Sequence, residues 1–339
     1  MPAQLRSCPL CGGTAHRPFL MTNARSFSGE RYKVVTCVEC SLRYTDPLPT
    51  DEELDALYED DYYEYAYDRT DDDGKMGDEG KITAGNRGGL SLQSLTFFFK
   101  TVLFAERRRA LLGRGPGRAL DVGCGNGDFL LSLKRRGWEV HGVEYSAEAA
   151  ELARAKGIAV HRGELTSAAF PANFFDLVTL WHVAEHLPEP LTELAEVRRI
   201  LRDDGLIVLE VPNSDCLTRK LCGAQWKQLD VPRHLQHFTL MTLERALTYA
   251  GFTSRHRQNL HFIDFNLVFY NFVARLGISR LTGIRYFSTD FKQASRLSKT
   301  LFLALGMPVA CISLPYSIIA ALVSGNGENL TITAEKAAG

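Results

Sequence analysis

Net charge is almost absent from this chain: 39 Lys and Arg stand against 40 Asp and Glu over 339 residues, a formal charge of −1. Without a positive field there is no general attraction to phosphate backbones, which counts against a nucleic-acid partner. Cysteine is scarce too. Of the 8 present, four form two C-x-x-C pairs near the start and the rest are scattered, which argues against a disulfide framework and suits a reducing compartment. No basic and apolar leader precedes the first pair, so a cytoplasmic protein is expected. The apolar fraction, 45%, is ordinary and sufficient for one large α/β domain plus a small module.

Such charge as there is lies unevenly. Residues 51–80 are acidic, whereas residues 252–300 carry Arg255, Arg257, Arg275, Arg280, Arg285, Lys292, Arg296 and Lys299 against only Asp264 and Asp290. Runs of this kind are usually solvated faces. The basic one adjoins a long apolar stretch, which leaves a surface role open.

A dinucleotide fingerprint is also missing. Residues 119–127 read A-L-D-V-G-C-G-N-G, an apolar run that ends in an acid and passes into alternating glycines. That pattern suits a parallel strand that stops, turns sharply and opens a helix beside a ligand. G-x-G-x-x-G would need its last glycine where Asp128 stands, so a phosphate ligand is disfavoured.

Strand and helix periods alternate onward from there. Strands are expected over 118–122, 139–144, 159–162, 175–181, 206–211, 253–259 and 330–334, with helices over 128–136, 147–156, 190–201 and 240–250. Such repeats predict a seven-stranded, mostly parallel, doubly wound sheet of Rossmann-like type. A further helix is expected over 92–112. Ahead of it lie a short helix over 51–60, a dense aromatic run at 62–67, and a linker or lid at 68–90 with little to bury.

Cys8, Cys11, Cys37 and Cys40 form two knuckles about 25 residues apart, with a strand over 32–36 between them. Four thiolates so spaced can close a tetrahedral zinc site, structural because no position is left open. The division expected is therefore a zinc-binding module at 1–50, a connector at 51–90, a core at 91–260, a helical insertion at 261–325 and a last strand with tail at 326–339.

The insertion lacks charge over 301–324, long enough to span a bilayer, but Pro308 and Pro315 interrupt the run. A single span would also strand the last β-segment on the wrong side. Helices packed on the domain are expected instead, either dipping into a membrane interface or buried as a hairpin or dimer contact.

Motif D-x-G-x-G-x-G at 121–127 resembles motif I of the class I S-adenosylmethionine-dependent methyltransferases. Residues 182–190 resemble that family's loop with E-H-L-x-x-P, and residues 226–238 resemble the W-x-x-x-D-x-P-x-H-L-x-H-F motif of the subset carrying an N-terminal four-cysteine zinc module. The resemblance implies that Asp121 receives the cofactor's ammonium, that Gly123, Cys124 and Gly125 admit its body, and that Glu144, followed by Tyr145, binds the ribose. It places Glu164 and Leu165 near the adenine, with His182, Glu185 and His186 beside the methyl group and Trp181 among the cofactor contacts.

His186, His182 and Glu185 become the catalytic candidates, with a histidine as base. Trp226, Arg233, His234 and His237 become the substrate-binding candidates. A metal held with Glu185 is an alternative without support from ligand spacing. The implied reaction is methyl transfer to a small-molecule or lipid-linked acceptor, a hydroxyl of a glycan, sugar or polyprenyl-type compound. Carbon methylation of a nucleotide-linked keto sugar, rRNA base methylation and a non-catalytic membrane-peripheral binding role are the rivals.

Overall fold

Apolar runs that are buried on both faces fold as central parallel strands, and those that alternate fold at edges. The chain follows this rule. A computed structural model describes residues 6–59, 107–111, 113–258, 264–284, 294–324 and 327–337. The aromatic run at 62–67, the connector at 68–90 and all but the last turns of the helix expected over 92–112 lie outside the described residues.

The strands of the main sheet are β4 (Arg118–Val122), β5 (Glu139–Glu144), β6 (Ala159–Arg162), β7 (Phe175–Trp181), β8 (Leu201–Pro212), β10 (Phe252–Gln258) and β11 (Asn329–Lys336). Their order is β10-β11-β8-β7-β4-β5-β6. Pairing is parallel from β8 through β7, β4 and β5 to β6, while β11 runs antiparallel to both β8 and β10. The seven-stranded, mostly parallel sheet expected from the pattern is present. Central β4 and β7 are buried almost throughout, whereas edge β10 alternates.

Helices connect the strands. They are α2 (Asp128–Lys134), α3 (Ala147–Ala155), α4 (Pro190–Ile200) and α6 (Leu240–Tyr249). Ser146 caps α3 through the backbone N–H of Ala149, and Thr239 closes a capping box on α6 with Thr242. After β4 the chain builds β5 and β6 on one side, then crosses to place β7 on the other. The crevice between the carboxyl ends of β4 and β7 is therefore the topological switch point, where open α/β sheets bind ligands.

A second sheet, in the order β1-β2-β3-β9, unites β1 (His16–Arg25), β2 (Arg31–Cys37) and β3 (Arg43–Asp46) with β9 (Gln236–His237). Helix α1 (Asp51–Glu59) follows β3. Neither β1, β3 nor β9 was expected. The borrowed strand joins the cysteine module to a loop of the main domain, and the packing continues across. Cys8, Leu10, Val35, Cys37 and Tyr44 share one buried cluster with Leu120, Val178, Val197 and Leu243. The boundary expected at residue 50 is not a break in the core.

Within the insertion, α7 (Asp264–Arg275), α8 (Ile278–Thr282) and α9 (Arg296–Ser324) pack through Val273, Ile278, Phe302 and Val309. The expectation that Pro308 and Pro315 break the apolar run is corrected, because α9 continues through both. Short α5 (Leu217–Cys222) lies between β8 and β9. Asn271 of α7 accepts the backbone N–H of Lys227 at 2.7 Å, and the hydroxyls of Thr218 in α5 and Tyr316 in α9 meet at 3.4 Å. The insertion is thus fastened to the loop that supplies β9.

Candidate active site

At the switch point β4 delivers Asp121, 3% exposed, whose Oδ1 accepts the Thr179 hydroxyl of β7 at 2.6 Å. Burial pushes its carboxyl up to about 7, against the Thr179 hydrogen bond and the nearby Arg107 charge. A carboxylate so placed gains from a cationic ligand, which would restore its charged form.

The loop that follows needs its glycines. Gly123 has φ 68°, and a Cβ there would stand 2.6 Å from Val183 Cγ2. Gly125 has φ 55° and donates its N–H to Glu144 Oε2 at 2.8 Å, while Glu144 Oε1 accepts from Ser146 N at 2.9 Å. Both oxygens of Glu144 are thereby oriented by backbone N–H groups.

Other residues expected at the cofactor fall into place unevenly. Tyr145 is 53% exposed beside Glu144, Glu164 is exposed, and Leu165 is fully buried. Cys124 lies inside the core, where burial raises its thiol pKa. The Trp181 ring packs edge-on against Phe129, and its buried indole N–H has no hydrogen-bond partner among the described residues.

Arg107, which the sequence reading did not single out, lies over the Trp181 ring at 4.7 Å and 3.9 Å from Glu210 Oε1. Thr179 and Glu210 were missed as well. A Glu inside the otherwise apolar 206–211 run was the available signal, since a buried charge needs partners.

Residue 182 begins a second constellation. His182 leaves β7 in a left-handed conformation, φ 57°, a strained setting for a non-glycine residue. Its Nδ1 meets Glu185 Oε1 and its Nε2 meets Glu210 Oε1, each at 3.2 Å. Burial lowers its pKa, but the two carboxylates outweigh this and lift it to about 9. Glu185 is 1% exposed, and its backbone carbonyl accepts from Leu235 N and Gln236 N at 2.7 and 2.9 Å.

That clasp brings the 226–239 loop against the end of β7. His186 Nδ1 then meets the Arg233 carbonyl at 3.1 Å and His234 Nδ1 the Gln228 carbonyl at 2.8 Å, with the two rings edge to face at 4.7 Å. Burial, followed by the His234 charge, lowers the His186 pKa to about 4.

The four residues expected to bind substrate divide. His234 joins His186 and Glu185, and Arg233 turns back to clamp Asp230 with both arms at 3.0 and 2.8 Å. Trp226 and His237 are buried in the framework instead. The Trp226 indole reaches Glu328 at 3.4 Å, and His237 Nε2 meets the Thr45 hydroxyl at 3.1 Å. Burial lowers the His237 pKa to about 3, so it is a neutral core group. The second sheet pairs with the strand that carries His237, and the insertion fastens the loop beside Trp226 through Asn271; neither contact is specified by the loop's own sequence.

Away from this crevice, the four sulfurs of Cys8, Cys11, Cys37 and Cys40 all lie within 4.8 Å of one another, with Cys8–Cys40 at 3.4 Å and Cys11–Cys37 at 3.5 Å. Tetrahedral zinc with Zn–S near 2.3 Å requires sulfur separations of about 3.8 Å. The set fits a closed four-thiolate site.

Residues 98–257 match the family described as a methyltransferase domain. A ubiquinone biosynthesis O-methyltransferase of Aeromonas salmonicida is 27% identical over 158 residues, 43% of this chain and 66% of that protein. A demethylmenaquinone methyltransferase of Staphylococcus saprophyticus is 33% identical over 103 residues, 28% of this chain and 44% of that protein. This chain covers less than two thirds of the length of these curated relatives. Among solved structures, an S-adenosylmethionine-dependent methyltransferase of Archaeoglobus fulgidus superimposes with a TM-score of 0.44 at 21% identity, over 71% of this chain and 99% of that one.

Proposed function

We infer that this chain, whose residues 98–257 match a methyltransferase domain, transfers a methyl group from S-adenosylmethionine to a small-molecule acceptor. The cofactor supplies a methyl on a sulfonium and leaves as a neutral thioether. Asp121 receives the ammonium of the methionine tail, Gly123 and Gly125 admit the body of the molecule, and Glu144 accepts from the ribose hydroxyls. Glu164 and Leu165 flank the adenine. The observation that carries this reading is the pairing of a buried Asp121, its carboxyl raised to about 7, with a Glu144 that backbone N–H groups hold against the glycine loop.

Glu185 and His186 stand on the acceptor side. His182 is a positioning residue, because both ring nitrogens are engaged by Glu185 and Glu210. Holding the acceptor in line supplies much of the acceleration in such a reaction. Zinc on the four cysteines has a structural role.

The relatives' printed names, ubiquinone biosynthesis O-methyltransferase and demethylmenaquinone methyltransferase, favour a quinone-type acceptor over the glycan or sugar first expected. An apolar acceptor also suits the insertion. Leu297, Met307, Ile312 and Ile319 of α9 and Leu281 of α8 are exposed, with Arg275, Arg280 and Arg296 close by in sequence. We place this face at the inner surface of a membrane, as a peripheral contact beside the acceptor loop.

Equilibrium binding of labelled S-adenosylmethionine tests the reading. The wild-type chain should bind and Glu144→Ala should lose affinity at least tenfold while staying folded. A folded wild-type chain that does not bind sinks it. Mass spectrometry of metabolites from cells with and without the protein, searched for a methyl-sized difference, then identifies the acceptor.

A further inference from the structure

Glu185, His186 and His234 each bring one ligand-type atom to a common point, all within 4.8 Å of one another. They come from two loops that the Glu185 carbonyl fastens together through Leu235 and Gln236. Each histidine uses Nδ1 on a backbone carbonyl, His186 on Arg233 and His234 on Gln228. A carbonyl accepts only, so Nδ1 carries the proton and Nε2 holds the lone pair in both rings. Metal-binding histidines are fixed in this same way by their outer hydrogen bonds.

Glu185 completes the set. It is 1% exposed; Oε1 meets His182, but Oε2 is buried with no hydrogen-bond partner among the described residues. Asp230, clamped by Arg233, lies 4.0 Å from His234 Nε2 and adds negative charge nearby. A buried carboxylate oxygen without a donor is costly, and placing imidazole lone pairs beside it makes it more so. One positive ion among the three atoms would compensate the buried Glu185 carboxylate.

We propose that Glu185, His186 and His234 bind a divalent cation, separate from the metal of the four cysteines. Two imidazoles and one carboxylate suit zinc, iron(II) or manganese(II) better than calcium or magnesium. Metal–ligand bonds near 2.1 Å require ligand atoms about 3.4 Å apart in a tetrahedral shell, a spacing inside the 4.8 Å that bounds the three atoms here.

Three protein ligands leave an open position. If the chain is a methyltransferase, as inferred above, Glu185, His186 and His234 would hold the ion, which would supply Lewis acidity to an acceptor hydroxyl. The hydroxyl would release its proton to solvent, and its oxygen would bond the methyl carbon as the carbon–sulfur bond breaks and that electron pair returns to sulfur.

Titration of the metal-free full chain with Co2+ tests the site. The expected result is two equivalents bound. One gives the intense thiolate charge-transfer absorption of the cysteines, and the other gives visible bands without added thiolate absorption. His234→Ala and Glu185→Gln should each keep the thiolate equivalent and lose the second. A wild-type chain that binds only the thiolate equivalent, or variants that retain both, overturn the proposal. The wild-type spectrum decides even where a variant fails to fold. Binding of labelled S-adenosylmethionine to the same samples separates the two readings, because a second metal without cofactor binding upholds the site and refutes the methyltransferase.

Discussion

Asp121 is buried at the switch-point crevice with its carboxyl pushed well above the ordinary range. Its folded carboxyl titrates at about 7, against about 3.9 in an unfolded chain. Between these values the folded state holds the extra proton, so this group's contribution to stability falls as pH rises from about 4 to 7. Thermal melts without ligand should show that slope, and Asp121→Asn should remove it. Affinity for S-adenosylmethionine should move oppositely, rising through pH 7 as the carboxylate ionises. Because a hydrogen bond to a charged group contributes about 1.5–3 kcal/mol, Asp121→Asn should weaken binding roughly 10- to 100-fold at pH 8, measured by calorimetry.

Gly123 is constrained from two directions, by φ 68° and by Val183 at 2.6 Å from any Cβ. Gly123→Ala should therefore cost about 1–3 kcal/mol of stability in a denaturant titration. Both positions were legible in sequence as a strand-end acid before alternating glycines. Arg107, Thr179 and Glu210 were not, since their partners lie on other elements.

At the scale of elements, the strands and helices of the main sheet could be read from period and caps, with shifts of a residue or a few at most boundaries; β8 begins at Leu201 instead of 206. Short β9 could not be read. It has only two residues, Gln236 and His237, and exists because β3 offers Arg43 and Tyr44 as partners.

Helix α9 departs from expectation for a related reason. Local rules place breaks at Pro308 and Pro315, but packing against α7 through Phe302 and Val309 outweighs them. Its outward side leaves Ile312 at 60% and Ile319 at 58% exposed, an apolar surface that a soluble monomer has little reason to keep. Flotation with anionic vesicles should carry the full chain upward. Ile312→Glu combined with Ile319→Glu should leave it at the bottom, and equal behaviour of the two proteins would refute the membrane contact.

Across the whole molecule, the cysteine module and the 226–239 loop are one mechanical unit. Thr45 of β3 donates its backbone N–H to Leu235 at 3.0 Å and its hydroxyl to the His234 carbonyl at 2.7 Å. Arg245 of α6 reaches the Cys40 carbonyl at 2.6 Å. Zinc removed from the four cysteines should therefore loosen His234 as well as the module. Treatment with a strong chelator should lower the melting temperature and reduce methyl transfer more than S-adenosylmethionine binding, because Asp121 and Glu144 belong to the other sheet. Zinc added back should restore both. Retained transfer with the metal gone would show that the module does not position the loop.

The amino-acid sequence by itself determined the sheet, the glycine cradle with Asp121 and Glu144, and the four-cysteine set, because each is written in local period or spacing. Only the tertiary structure decided that Trp226 and His237 are framework, that His182 is held between Glu185 and Glu210, and that His234 joins Glu185 and His186. Those outcomes depend on contacts between segments distant in the chain. A side chain's role there is set by which surface covers it, and no local pattern specifies that surface.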